Sequence, residues 1–551
     1  MAKFHRKPLT QQSIRRLCRG FLAIGMVVYL VLFLRLPFAL YDRFAYMTFD
    51  LGIFDQAVWL ISQGKTPFVT ARGVHILGDH FSVILYLIAP NYRLFPSPKT
   101  LLFLQTFALT LGAIPAYGLT RKRLKSEPLA LLFGLIYLLH PAHQWSLTYE
   151  FHPDVFATPL LVAAFYAIEA KRWRLLAASL VLTALIKESA GLTIACVGVW
   201  TLYKDRKAGI ATIVFGLMMM PVAMLTVKYF NGGLPSPYFA IFRHFGSTPG
   251  EMAHNFADHP VRFLSDLFHP GNLMLTGSLM LVFCLLPLFA PETILLALPM
   301  LLINYMGGRS GMHTYEEYYF ASVTPLLFLG AIKGFHRVQK WGWFLRWLFL
   351  LNLPIWAISG FFMGPLVRPI EQIYTGQAPA ESIQECNAAV ALIPANASVS
   401  ASMALGAHLA HRTQLYLFPN PFVISAYGGT RKALEEIDSI NGTQLPIDLS
   451  SAIQTGSANA EYVALCPKSS PFPLSDSNVS KLSVAILQSK KYETEYVGQY
   501  VLLLKRVSYG TATLENLARR SGKSVKSAKE VEGAYWHWYA LQFPAPKGVR
   551  Q

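Results

Sequence analysis

The stretch FDLGIFDQAVW, residues 49–59, places two carboxylates, Asp50 and Asp55, five positions apart in strongly apolar surroundings. Similar polar islands recur along the chain. They are His75, Asp79 and His80 in HILGDHF; His140 and His143; Glu150, His152 and Asp154 in YEFHPD; Lys187 and Glu188; and Arg309, His313, Glu316 and Glu317 in GGRSGMHTYEEYY. Side chains of these types move protons, hold anions or bind divalent cations. Ionisable groups at or inside a membrane are costly and are kept for pairing, transport or catalysis. A divalent metal is possible but not indicated by spacing, because no HExxH or DxD pattern occurs, and GxSxG, Walker A and GxGxxG loops are also missing.

Plainer roles stand beside each of these. Asp50 could be the N-cap of a helix running from Leu51 to Gln63, and His140 before Pro141 could simply end a helix. Lys187 and Glu188 could be an ion pair that lets a helical hairpin turn. Asp50 and Asp55 do not make a shared-face dyad, since five helical residues advance about 500°.

The elements that must position these groups are membrane helices. Of the 551 residues 53% are hydrophobic and 14% charged, and apolar runs recur at lengths no ordinary soluble core can hide. The net charge of +18 comes from short basic clusters between those runs, a topology and anionic-lipid signal that excludes a nucleic-acid-binding face. The first apolar segment, 20–40, follows a basic arm and lacks a small-residue cleavage pattern, so it reads as an uncleaved helix. Placing the clusters at 121–125, 171–174, 204–207 and 333–340 on the cytoplasmic side predicts about eleven transmembrane helices. They lie near 20–40, 98–120, 128–141, 154–170, 174–187, 189–203, 208–229, 273–290, 292–306, 319–332 and 344–363, with the N-terminus inside. Several are shorter than a straight crossing needs, as helices around a cavity often are. By this topology every polar island faces the outer side.

The expected fold is therefore an α-helical polytopic membrane domain, 1–364, with a large first exterior loop at 41–97, followed by an exterior soluble α/β domain, 365–551. Within the loop, residues 80–95 read as a re-entrant or interfacial helix. In the second domain 397–403, 461–465 and 496–504 read as strands, 430–437 as a helix, and the tail from about 510 is basic. Of the five cysteines only Cys386 and Cys466 share the soluble segment, so a disulfide between them is open.

The motifs FDLGIFDQAVW, HFSVILYLIAPNYRLFPSP, YEFHPD, IKESAG and IPANASVSAS, leading to HLAHRTQLYLFP, resemble a family of microbial membrane proteins, domain of unknown function 2079. A first helix followed by an exterior loop opening with an aspartate is also similar to the GT-C superfamily, membrane glycosyltransferases that use polyprenyl-phosphate sugars. Many GT-C members carry an acidic pair at that aspartate, where this chain has Asp50-Leu51.

That resemblance implies a glycosyltransferase of the inner (plasma) membrane with a polyprenyl-phosphate sugar donor as partner, acting in the surrounding lipid at the outer face. It implies Asp50, with Asp55, as the catalytic carboxylates. Lys187, Arg309 and His80 would meet the donor phosphate, and Asp79, Glu150, His152 and Glu188 would bind acceptor or support the site. Broken helices with intramembrane charges also suit a transporter or flippase of lipid-linked glycans. A non-catalytic surface protein that binds a partner through its exterior domain is the third reading.

Overall fold

The structure, a computed structural model, describes residues 10–233, 249–369, 380–422, 460–466 and 491–507, with isolated positions between them. The helix expected at 430–437 and the basic tail lie outside the described residues. By contact the chain divides into two units. The first holds residues 1–38, 80–87 and 101–373; the second holds 39–79, 88–100 and 374–551. Residues 41–79, a loop between membrane helices by sequence, thus cluster with the C-terminal segment.

The first unit is helical. Among the described residues four helical stretches are long and apolar enough to cross a membrane: Gln11–Asp42, Pro98–Leu124, Arg206–Phe230 and Trp343–Phe362. Four further apolar helices are shorter: Glu127–Leu139, Trp173–Ala184, Ala190–Leu202 and Pro291–Tyr305. Only 22%, 22% and 17% of the apolar windows of the first, third and fourth long helices are buried, so their remaining faces need hydrocarbon around them. The centre of the unit is aromatic. Phe328 meets Phe133, Tyr137 and Phe283 edge-on at centroid separations of 6.2, 5.9 and 6.1 Å, and all four rings are buried.

Among the described residues Ala190–Leu202 and Arg206–Phe230 form the most closely packed helix pair, and glycine makes it possible. Gly191 and Gly198 on one helix face Gly216 and Gly209 on the other. A Cβ at Gly216 would stand 2.6 Å from both the Gly191 carbonyl oxygen and the Ala195 nitrogen, and one at Gly198 would stand 2.6 Å from the Ile213 nitrogen. In a membrane, where lipid tails compete for apolar contact, such close backbone approach is what favours the pair. Gly216→Leu is expected to separate the two helices, lowering the yield of folded protein and its melting temperature; an unchanged melting profile would refute this role for the seam.

In the second unit β1 (Phe68–Val69) and β2 (Val74–His75) make a small antiparallel ladder. The main sheet contains β3 (Val399–Ala401), β4 (Leu415–Leu417), β5 (Tyr462–Leu465), β6 (Tyr492–Val497) and β7 (Leu502–Arg506), in the order β4-β3-β5-β7-β6. β3 runs parallel to β4 and β5, while β7 is antiparallel to β5 and β6. The expected strands at 397–403 and 461–465 match β3 and β5. The expected strand at 496–504 is the hairpin joining β6 to β7, because both arms are rich in Tyr, Val and Leu and periodicity does not mark the turn. The expected helix at 80–95 is broken into short pieces, Ile84–Ile88 and a 3₁₀ turn at Ala89–Arg93. Pro90 and Pro96, with the polar Asn91 and Arg93, keep a long helix from forming.

Candidate functional site

Of the nine residues to which the resemblance gives roles, Asp50, Asp55 and Asp79 lie in the second unit; His80, Glu150, His152, Lys187, Glu188 and Arg309 lie in the first. Each group is described within its own unit.

Asp50 sits in a tight turn at Thr48–Gly52 with φ 69° and ψ −91°. Residues other than glycine rarely adopt positive φ, and aspartate and asparagine are among the more tolerant of it. Backbone in such regions persists only where the surroundings over-determine it, and it concentrates at functional sites. The following helix, Ile53–Ser62, has Gly52 at its N-cap position, so Asp50 is not its N-cap residue. The turn is held from the C-terminal segment: the Thr48 hydroxyl donates to the Met403 carbonyl at 2.9 Å, and a Cβ at Gly406 would collide with the Thr48 side chain.

Asp55, in the first turn of that helix, is completely buried. Its Oδ1 accepts from the Tyr92 hydroxyl at 2.6 Å and from His411 Nε2–H at 3.1 Å. Its Oδ2 is buried without a hydrogen-bond partner among the described residues. The His411 ring also lies parallel to the Trp59 indole at 6.1 Å and keeps partial contact with solvent. Burial alone would lower the His411 pKa; the Asp55 carboxylate, by charge and hydrogen bond, outweighs burial and the nearby Arg412 and holds it above its ordinary value. An imidazole oriented by a buried carboxylate is a proton-handling group.

The same segment, HLAHR, supplies further ties. Gln56 Nε2 donates to the Arg412 carbonyl and to Thr70 Oγ1, both at 3.0 Å, and Thr70 exchanges hydrogen bonds with the backbone of Leu415. His408 is sandwiched between Tyr41 and Phe44 at 4.1 and 3.8 Å and donates to the Tyr41 carbonyl. Burial lowers its pKa to about 3, with the hydrogen bond opposing and the Lys99 charge assisting. Asp79 pairs with Arg72 at 3.0 Å, and the Arg72 guanidinium stands 5.9 Å from the ring of Phe49, the residue before Asp50.

In the first unit the predicted cations gather around aromatic rings. Lys187 Nζ binds Asp154 at 3.2 Å and lies 5.4 Å from the centre of the Tyr318 ring. His152 stacks on that ring at 3.6 Å, and Tyr319 stacks beside it at 4.4 Å. Arg309 donates to the Tyr149 hydroxyl at 3.1 Å, lies 3.8 Å from Glu317 and 5.9 Å from the Tyr319 ring, and is partly exposed. Lys187, Arg309 and His152 therefore share one tyrosine cluster. Glu150 is buried with φ 114°, the second positive-φ residue among the candidates, and Gln105 fixes its neighbourhood by bonding the Glu150 carbonyl and the His152 amide. Next to Lys187, Glu188 accepts from His80 at 2.9 Å and from the Phe81 amide at 3.2 Å, while His80 stacks on Tyr238 at 4.0 Å. Burial would raise the Glu188 pKa, but the His80 contact and the Lys187 charge bring it down to about 2. Glu188 is thus an ionised partner at the break between two short helices.

Tyr318, Tyr319 and Tyr149, which hold the two cations, are not marked by spacing; the signal for Tyr318 and Tyr319 is the run YEEYYF, aromatic and acidic together between two apolar spans, and Tyr149 opens YEFHPD. His411 carries no mark in its own sequence neighbourhood, HLAHR, because its partner Asp55 lies 356 positions away. Among the described residues no three His, Cys, Asp or Glu side chains gather as a metal site.

Comparison with known proteins places this geometry in context. A family model described as "Predicted membrane protein (DUF2079)" matches residues 40–438. No curated protein sequence matches the chain. Among solved structures, ArnT from Cupriavidus metallidurans in the apo state is 12% identical with a TM-score of 0.51, covering 89% of this chain and 98% of that one. The same protein bound to undecaprenyl phosphate is 10% identical with a TM-score of 0.50 over the same shares. The archaeal oligosaccharyltransferase AglB from Archaeoglobus fulgidus, in complex with an inhibitory peptide and a dolichol-phosphate, is 12% identical with a TM-score of 0.47, covering 90% and 75%. The likeness to ArnT concerns the fold alone, and it extends over most of the chain.

Proposed function

The chain belongs to the DUF2079 family of predicted membrane proteins, and we propose that it is a membrane glycosyltransferase that moves a sugar from a polyprenyl-phosphate donor to an acceptor hydroxyl. The observation that carries this reading is the pairing of a GT-C-like fold with a cluster of cations, Lys187 and Arg309, on tyrosine rings at the ends of short membrane helices. The solved relative with that fold holds undecaprenyl phosphate, a ligand whose phosphate such cations suit. The reading places the protein in the inner membrane, with about eleven crossings, a cytoplasmic N-terminus and an exterior α/β domain after residue 364.

In the proposed reaction the acceptor oxygen attacks the anomeric carbon as the bond from that carbon to the phosphate oxygen breaks, inverting the centre. Asp50 takes the proton from the acceptor hydroxyl, and the departing polyprenyl phosphate carries the electron pair and negative charge. Lys187, Arg309 and His80 meet that charge, which grows in the transition state and makes their contribution catalytic as well as binding. Asp55 acts through His411 and Tyr92, while Asp79, Glu150, His152 and Glu188 hold the surrounding groups in place. Repeating the assay with a chelator reads out any divalent-metal dependence.

The test uses the full chain in lipid nanodiscs with a panel of undecaprenyl-phosphate hexoses and pentoses, and it measures release of undecaprenyl phosphate and covalent transfer. Release with transfer is expected. Movement of the donor across vesicle bilayers with no covalent change would instead favour transport, and activity carried wholly by the C-terminal segment would favour a surface-binding protein. Arg309 is partly exposed, so Arg309→Ala is expected to raise the apparent KM for donor about 10-fold with little loss of fold, in line with one charged hydrogen bond. An unchanged KM would remove Arg309 from the donor site.

A further inference from the structure

We propose that Cys386 and Cys466 are an oxidisable pair that closes a disulfide, pinning the helix Ile383–Leu392 to the end of the central strand β5. Both cysteines are buried, the first in that helix and the second directly after Leu465. Both are free thiols, and they come to one end of the sheet: Leu465, before Cys466, pairs with Leu502 in β7, two residues from Tyr500, whose amide donates to Glu385 beside Cys386. Fixed backbone on either side holds them there. Glu385, beside the first cysteine, accepts from the amides of Gln499 and Tyr500 at 2.9 and 2.7 Å, in the turn between β6 and β7. The Cys466 amide donates to Ser402 Oγ at 3.0 Å.

The other three cysteines differ in setting. Cys18 and Cys196 belong to the apolar core of the helical unit and Cys284 packs against it, where a thiol behaves as a small hydrophobe. Only the pair at 386 and 466 joins two elements of the sheet-containing unit. The link would enclose β3, β4 and β5, so it would restrict the unfolded chain across the parallel part of the sheet.

The proposal rests on the outer-face reading of the C-terminal segment, because oxidising compartments lie there. The chemistry needs a disulfide-bearing oxidant, a thiol–disulfide oxidoreductase or a small-molecule disulfide. One cysteine thiolate attacks the oxidant disulfide to give a mixed disulfide, and the second thiolate displaces the oxidant sulfur. The oxidant leaves as a dithiol, having gained two electrons and two protons. Both thiols are buried once the sheet is formed, out of reach of an oxidant, so the bond is expected to form before the sheet closes over the pair.

The experiment takes full-length protein from membranes, denatures it without reductant in N-ethylmaleimide, and maps its peptides by mass spectrometry. The expected product is a 386–466 linked peptide about 2 Da lighter than its reduced parts, with Cys18, Cys196 and Cys284 alkylated. Cys386→Ser, Cys466→Ser and the double variant are each expected to lower the melting temperature by the same amount, about 5–15 °C, because either change removes the whole link. Alkylation of both cysteines without reductant overturns the proposal. Proteolysis of intact spheroplasts, scored separately, shows whether the outer-face reading has also failed.

Discussion

Asp50→Asn is expected to slow sugar transfer by about 10²–10⁴-fold while the protein folds as before. The choice of asparagine matters. Asp50 holds φ 69°, and asparagine shares aspartate's tolerance of positive φ, so the exchange removes the proton acceptor and spares the turn. Alanine at the same position would add backbone strain and mix the two effects. The assay is release of undecaprenyl phosphate from the active donor, read beside a melting curve. Full activity with an unchanged melting curve would show that another group takes the acceptor proton, and His411 would be the next residue to examine.

Asp55→Ala is expected to cost about 3–5 kcal/mol of stability, the scale for removing one member of a buried charged pair. The carboxylate is inaccessible to solvent, and its loss leaves the Tyr92 hydroxyl and His411 Nε2–H without their shared acceptor. Because the two groups act through one oxygen, the double variant Asp55→Ala/His411→Ala should lose little more than the single one, which thermal unfolding of the four proteins in a double-mutant cycle measures. Additive losses would mean that the pair is not coupled.

The two histidines of HLAHR give this unit opposite responses to pH. His411 is held above its ordinary value, so its contribution is fully present below about pH 6.5 and is lost as pH rises through the raised pKa. His408 is buried neutral and its pKa is lowered to about 3; the unfolded chain binds the extra proton first, so its effect is a loss of stability as pH falls from about 6.5. His408→Phe, which can keep the stack on Tyr41 and Phe44, is expected to flatten the acid limb of the melting-temperature profile. Asp55→Asn is expected to flatten the alkaline one.

Much of the membrane architecture was legible in the sequence because its signals are local. The apolar run at 208–229 became the helix Arg206–Phe230, and the run at 344–363 became Trp343–Phe362, since about 20 consecutive apolar residues have few other stable solutions. Polar islands stand out for the same reason, with Lys187, Arg309 and His152 among them. The shorter helices were harder to read. Breaks such as Gly112 between Pro98–Leu111 and Ala113–Leu124 depend on which neighbouring helix approaches, and hydropathy carries no record of that.

The sequence by itself determined that this is a membrane protein of the DUF2079 family, with ionisable residues concentrated between its apolar segments. It also marked Asp50 and Asp55 as unusual. Tertiary structure decided what each one meets. Asp55 finds His411 across 356 positions, Lys187 and Arg309 meet on the adjacent rings of Tyr318 and Tyr319, and the segment after Asp42 joins the sheet-bearing unit. The physical reason is one of range. Hydrophobic transfer acts residue by residue and can be summed along a chain, whereas a buried hydrogen bond exists only when donor and acceptor are brought together, and nothing in either residue's immediate neighbours specifies its partner.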